Sequence, residues 1–245
     1  DGRTLLFNEI GGGGGSRGAV YVRATSGGDA VRLGDGHALA LSPDGKWALT
    51  MDASTPPKLT LLPTGVGQPK TLPVAGFDGY YFARFLPDGK RIFFNANPPG
   101  RKIRCHVLDL QGGTPRPLAP EGNSCWNASP DGRLLAVTAP DGGLALYPVD
   151  GGPARPVAAW PSGSTPIQWS ADGASLYFTS KLDIPTDIQR FDLATGQSRP
   201  WRQLAPSDRA GVQAIMAPLI TPDGRTYAYT YVRLLGDLYL AEGLK

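Results

Sequence analysis

The chain has 245 residues, 41% of them hydrophobic and 18% charged, a composition that excludes both a disordered polymer and a membrane-embedded one. Its 24 basic and 21 acidic residues give a formal charge of +3, and the basic ones are scattered singly instead of forming the stripe that nucleic-acid binding needs. Glycine (33) and proline (24) are frequent without a collagen triplet, which predicts many turns joining short strands.

Along the chain one element recurs: Asp-Gly followed by an apolar run rich in strand formers. The copies are Asp1-Gly2, Asp44-Gly45, Asp88-Gly89, Asp131-Gly132, Asp172-Gly173 and Asp223-Gly224, with successive spacings of 43, 44, 43, 41 and 51 residues. Four are nearly identical: Ser42-Pro43-Asp44-Gly45-Lys46, Leu86-Pro87-Asp88-Gly89-Lys90, Ser129-Pro130-Asp131-Gly132-Arg133 and Thr221-Pro222-Asp223-Gly224-Arg225. Ser170-Ala171-Asp172-Gly173-Ala174 is a degenerate fifth. Proline presets φ at a turn's second position, aspartate bonds back to nearby amides, and glycine takes the left-handed conformation that closes the hairpin. These aspartates are therefore expected to form turns, not to catalyse.

The runs after the turns, at 4–7, 47–51, 91–95, 134–138, 175–179 and 226–230, predict one strand each. A second strand follows at 19–25, 58–64, 103–110, 144–150, 187–193 and 237–241, and a short outer one at 30–33, 70–72, 116–118 and 155–157. With the strand ahead of each turn, this makes four antiparallel strands per copy. Four-strand units at a period of about 40–45 residues are the mark of propeller blades. The expectation is an all-β, single-domain β-propeller of six blades, with units at about 1–34, 35–73, 74–119, 120–158, 159–202 and 203–245. Both end blades are expected to be incomplete, the first lacking a strand before Asp1 and the last its fourth strand. Helical period is absent, apart from a trace at 208–216.

Few residues offer chemistry. The two cysteines, Cys105 and Cys125, have neither metal nor redox spacing and are expected to be small buried hydrophobes, with a bridge between them as the alternative. His37 and His106 are the only histidines, and no Gly-x-Ser-x-Gly elbow accompanies them, so a nucleophilic triad is not expected. His106 is predicted to be structural. His37 lies in the Gly34-Asp35-Gly36 loop that enters an inner strand, where propellers bind ligands. The glycine run 11–15 lacks a phosphate-loop lysine and predicts a hairpin loop. No metal, cofactor or membrane insertion is expected of this chain.

Recognition at the mouth of the central channel remains, because the loops entering the inner strands converge there. The loop 74–84 brings Phe77, Asp78, Tyr80, Tyr81 and Arg84 together, the aromatic and arginine mix of interface anchors. Trp126 and Gln168 hold comparable places in later copies, and the connection 201–218 is expected to cap the same mouth. The candidate binding set is His37, Asp78, Tyr80, Tyr81, Arg84, Trp126 and Gln168, alongside packing between blades as the plainer role, favoured for Trp126.

The turn Ser42-Pro43-Asp44-Gly45-Lys46 with its apolar strand, followed by a Tyr- or Leu-rich strand and an Asp-x-x-Gly-Gly turn, resembles the Tol-system (TolB-like) and WD-repeat-like propellers of bacteria over nearly the whole chain. More narrowly, 38–47, 144–149 and the closing 233–245 are similar to the C-terminal propeller region of some bacterial serine/threonine protein kinases. That resemblance implies an N-terminal kinase domain, commonly a membrane-spanning segment between, and an extracytoplasmic propeller, with a cytoplasmic one as the alternative. This chain has no Gly-rich phosphate loop, no His-Arg-Asp and no Asp-Phe-Gly. The function expected is a non-catalytic module binding a protein, a peptide or a small envelope ligand. The alternatives are the accessory propeller of a prolyl-oligopeptidase-type serine peptidase and a channel-metal propeller hydrolase.

Overall fold

The computed structural model describes residues 2–11, 15, 17–52 and 54–236. Its first sheet joins β1 (Thr4–Glu9), β2 (Ala19–Ala24) and β3 (Val31–Asp35). Four four-stranded sheets follow. They are β4 (His37–Leu41), β5 (Trp47–Met51), β6 (Leu59–Pro63) and β7 (Lys70–Thr71); β8 (Gly79–Phe85), β9 (Arg91–Asn97), β10 (Arg104–Asp109) and β11 (Arg116–Pro117); β12 (Ser124–Ala128), β13 (Leu134–Thr138), β14 (Leu144–Pro148) and β15 (Arg155–Pro156); then β16 (Thr165–Trp169), β17 (Ser175–Thr179), β18 (Thr186–Asp192) and β19 (Ser198–Leu204). A hairpin of β20 (Val212–Ile220) and β21 (Tyr227–Arg233) ends the series. Within each sheet, strands adjacent in sequence pair antiparallel, which is the up-and-down blade of a propeller.

From β4 onward an Asp-Gly turn joins the first and second strands of each sheet, and four of these five turns share one circuit, Leu86 lacking the hydroxyl at the Asp88 turn. In the first full copy the Ser42 hydroxyl donates to Asp44 Oδ1 at 2.6 Å, and the Lys46 amide donates to the same oxygen at 3.1 Å. The Trp47 amide in turn donates to Ser42 Oγ at 2.9 Å. The same bonds recur at Ser129 with Asp131, Ser170 with Asp172 and Thr221 with Asp223. Ala171 in place of proline leaves the circuit intact, so hydroxyl, aspartate and glycine suffice for it. Gly45, with φ of 71°, holds the left-handed conformation that a side chain would strain. The hydroxyl first, and the backbone amide second, hold the carboxyls of Asp44, Asp131, Asp172 and Asp223 below the ordinary value of 3.8.

Packing lies between sheets. Each apolar cluster draws on two successive sheets: Val20 with Ala48 and Leu62, Leu49 and Leu61 with Ile92 and Phe94, Phe93 and Val107 with Leu135 and Val137, Leu146 with Leu176 and Phe178, and Ile188 with Ile215. A middle strand is therefore covered on both faces, and β9 is buried at each position from Ile92 to Ala96. This erases the period-2 alternation of a one-sided strand.

Four expectations are corrected. Five blades of three or four strands form instead of six, and the sixth copy is represented among the described residues by the β20–β21 hairpin alone. The predicted strand 237–241 lies outside the described residues. Residues 208–216, with their trace of helical period, turn and enter β20, because Ile215 must face the preceding sheet. The connection 201–218 is not a cap, since its ends belong to β19 and β20. Finally, Cys105 on β10 and Cys125 on β12 are disulfide-bonded, with Cα atoms 5.5 Å apart. Neighbouring blades bring together two residues that the sequence separates by 20.

Candidate functional site

Each of the six sheets contributes its first strand to one partly open central cavity of about 370 Å³. The strands β4, β8, β12, β16 and β20 place equivalent residues on its wall, two positions ahead of the Ser, Thr or Leu that opens each turn: Ala40, Arg84, Asn127, Gln168 and Leu219. In the first sheet β1 takes the inner place and adds Thr4, Leu5 and Leu6. The wall is thus divided. Arg84, Asn127 and Gln168 make a polar arc over three consecutive blades, and Leu5, Leu39, Leu41, Phe85 and Leu219 leave much of the remainder apolar.

Asn127 organises that arc. Its side chain is buried, and its Oδ1 accepts from Arg84 Nη1 at 2.8 Å while its Nδ2 donates to the Ile167 carbonyl at 2.8 Å. Arginine can only donate, so the amide orientation is fixed by its partners. The Trp169 indole closes the circuit by donating to the Asn127 carbonyl at 3.2 Å. Arg84 also lies over the Phe82 ring, 5.0 Å from its centroid. Half-buried on the cavity wall, its guanidinium is desolvated, which pushes its pKa down to about 10, still charged at neutral pH. Gln168 lines the same cavity next door.

The other predicted residues go elsewhere. Tyr80 is only 4% exposed and packs on Phe77 and Phe94 in the core, its hydroxyl 3.5 Å from the Val74 carbonyl. It is not a mouth residue, because the bulge between Tyr80 and Phe82 turns it into the blade interface. Burial pushes its pKa up to about 12. Trp126 packs against Phe82 and donates to Thr138 Oγ1 at 2.8 Å, which fits the packing role. Asp78 and Tyr81 are exposed and His37 is half-buried at the start of β4, but none of the three borders the central cavity. His106 is buried with its ring stacked on Phe94, and burial lowers its pKa. Only Arg84 and Gln168 of the predicted set meet on the channel wall, and Asn127 was missed. Its signal was present as the register of the repeat, counted back from Ser129. Among the described residues no three His, Cys, Asp or Glu side chains come together.

No protein-family model matches the chain, and no curated protein matches it. Solved structures do. TolB from Acinetobacter baumannii superposes with a TM-score of 0.71 at 18% identity, over 92% of this chain and 57% of that one. A candidate TolB from Agrobacterium tumefaciens gives 0.63 at 19%, over 84% and 74%. The periplasmic gluconolactonase of Pseudomonas aeruginosa gives 0.58 at 20%, over 93% and 76%. The chain therefore spans little more than half of the Acinetobacter protein. At these identities the likeness is one of architecture, and the architecture is that of a TolB-like β-propeller.

Proposed function

We propose that this chain is a non-catalytic module that binds a ligand in its central channel, as the sensing or scaffolding part of a bacterial receptor-type serine/threonine kinase. The observation that carries the binding role is the cavity of about 370 Å³ with a polar arc on one side and an aliphatic wall on the other. That volume and that mixture of a few placed polar groups with apolar lining suit a small ligand. The kinase parent is supported by the resemblance of 38–47, 144–149 and 233–245 to kinase-attached propellers. An extracytoplasmic position is supported by the Cys105–Cys125 disulfide, a bond that persists in oxidising compartments, and by the likeness to a periplasmic gluconolactonase.

The test is a calorimetric screen of short peptides, sugars and sugar acids, run in parallel with NMR detection of turnover. Saturable binding without turnover, lost in Ala40→Trp where an indole fills the channel, is the expected result. Turnover of any compound by the wild-type chain, lost in the same variant, overturns the non-catalytic reading. Binding that survives Ala40→Trp overturns the channel as its location.

A further inference from the structure

Among the cavity-lining residues Arg84 is the one with a charged side chain, and none of the ion pairs in the described residues includes it. An arginine has five donors, and Asn127 Oδ1 is the side-chain or backbone acceptor that Arg84 has, through Nη1. Desolvation lowers its pKa, and no carboxylate among the described residues offsets it. A cation desolvated in this way on the cavity wall is costly unless an anion completes it. It is also held in place: Asn127 is anchored to the next blade through the Ile167 carbonyl, and Phe82 supports the guanidinium face. Such a group is pre-ordered to receive a ligand and loses little freedom on doing so.

We propose, resting on the channel-binding reading above, that Arg84 and Gln168 form a recognition point for the carboxylate of a small monoanionic ligand with an apolar body. The planar fork of a guanidinium matches the two oxygens of a carboxylate. The Gln168 amide, which makes no side-chain hydrogen bond among the described residues, lines the same cavity two blades further on and supplies a further donor from there. Charge decides against a phosphate. One cation neutralises one negative charge, and a dianion would leave its second charge facing Leu39, Leu41, Phe85 and Leu219. Those same residues provide the surface for an aliphatic or ring body.

The ligand itself tests this without any substitution. NMR titration of the wild-type chain with hexanoate, and with hexanamide of the same shape but no charge, should show hexanoate binding more tightly by roughly 10- to 100-fold, the span of a charge-assisted hydrogen bond. Arg84→Met should abolish that preference, and Gln168→Leu should weaken hexanoate alone. If Arg84→Met does not fold, the hexanoate to hexanamide ratio in the wild type decides. Equal binding of both, lost in Ala40→Trp, overturns the carboxylate inference while leaving the channel as a binding site. Absence of saturable hexanoate binding overturns it as well, and tighter binding of hexyl phosphate overturns the single-charge argument.

Discussion

At the seam of the third and fourth blades, β9 is covered on both faces and Asn95 both donates to and accepts from the Cys125 backbone, each bond 2.9 Å long. The disulfide crosses the same seam, with Arg84 bound to Asn127 on the channel side and Arg91 bound to Asp150 at 2.6 Å on the outside. The β20–β21 hairpin grows from the same repeat and carries the same Thr221–Asp223 turn circuit. Yet Tyr231, Val232, Leu234 and Leu235 stand exposed on and after β21. Among the described residues, no apolar cluster joins the hairpin to the first sheet, although Gly2 lies against Thr221 and Thr226. The contrast teaches that the turn makes the hairpin, whereas burial on two faces makes the blade.

Stability should follow that division. Phe93→Ala, at a side chain fully buried between the third and fourth blades, should cost roughly 3–5 kcal/mol in chemical denaturation. Tyr231→Ala, at an exposed ring on β21, should change it by no more than about 0.5 kcal/mol. Comparable losses at the two sites would mean that β21 is covered in solution. Next in size is the disulfide, which closes a loop of separation 20; replacing both cysteines by alanine should cost about 3 kcal/mol. The oxidised wild type should accordingly melt above its reduced form, and identical melting curves would place the seam's strength in packing and hydrogen bonds alone.

Smallest is the turn circuit. Ser129→Ala removes the hydroxyl from Asp131 and should cost about 1 kcal/mol. The pH dependence has a definite sign. Asp44, Asp131, Asp172 and Asp223 have folded pKa values below the ordinary 3.8, so their contribution is complete above that pH and is lost as pH falls through the folded values. Acid titration followed by tryptophan fluorescence should show stability declining below about pH 4, more shallowly in Ser129→Ala. An unchanged acid slope in that variant would show that the hydroxyl does not hold the carboxyl down.

Much of this was legible in the chain because the turn chemistry is local. The circuit of Ser, Asp and Gly spans six residues, so its recurrence marks the hairpins, and β5, β13 and β17 begin and end where the sequence places them. The site was legible only in part. Tyr80 and Arg84 sit four residues apart in one aromatic-rich stretch with equal claims to the channel, and a bulge decides between them by sending Tyr80 into the core. Asn127 has no chemical distinction in sequence. It becomes central because adjacent blades place Arg84 on one side of it and Ile167 on the other.

By itself, then, the sequence determined the repeated hairpin and with it the propeller class, since both follow from contacts within about 45 residues. The tertiary structure alone decided the pairing of Cys105 with Cys125, the number of complete blades and the polar arc in the channel. Each of these depends on which blades stand side by side, and that is set by packing between sheets whose apolar residues look alike in every copy.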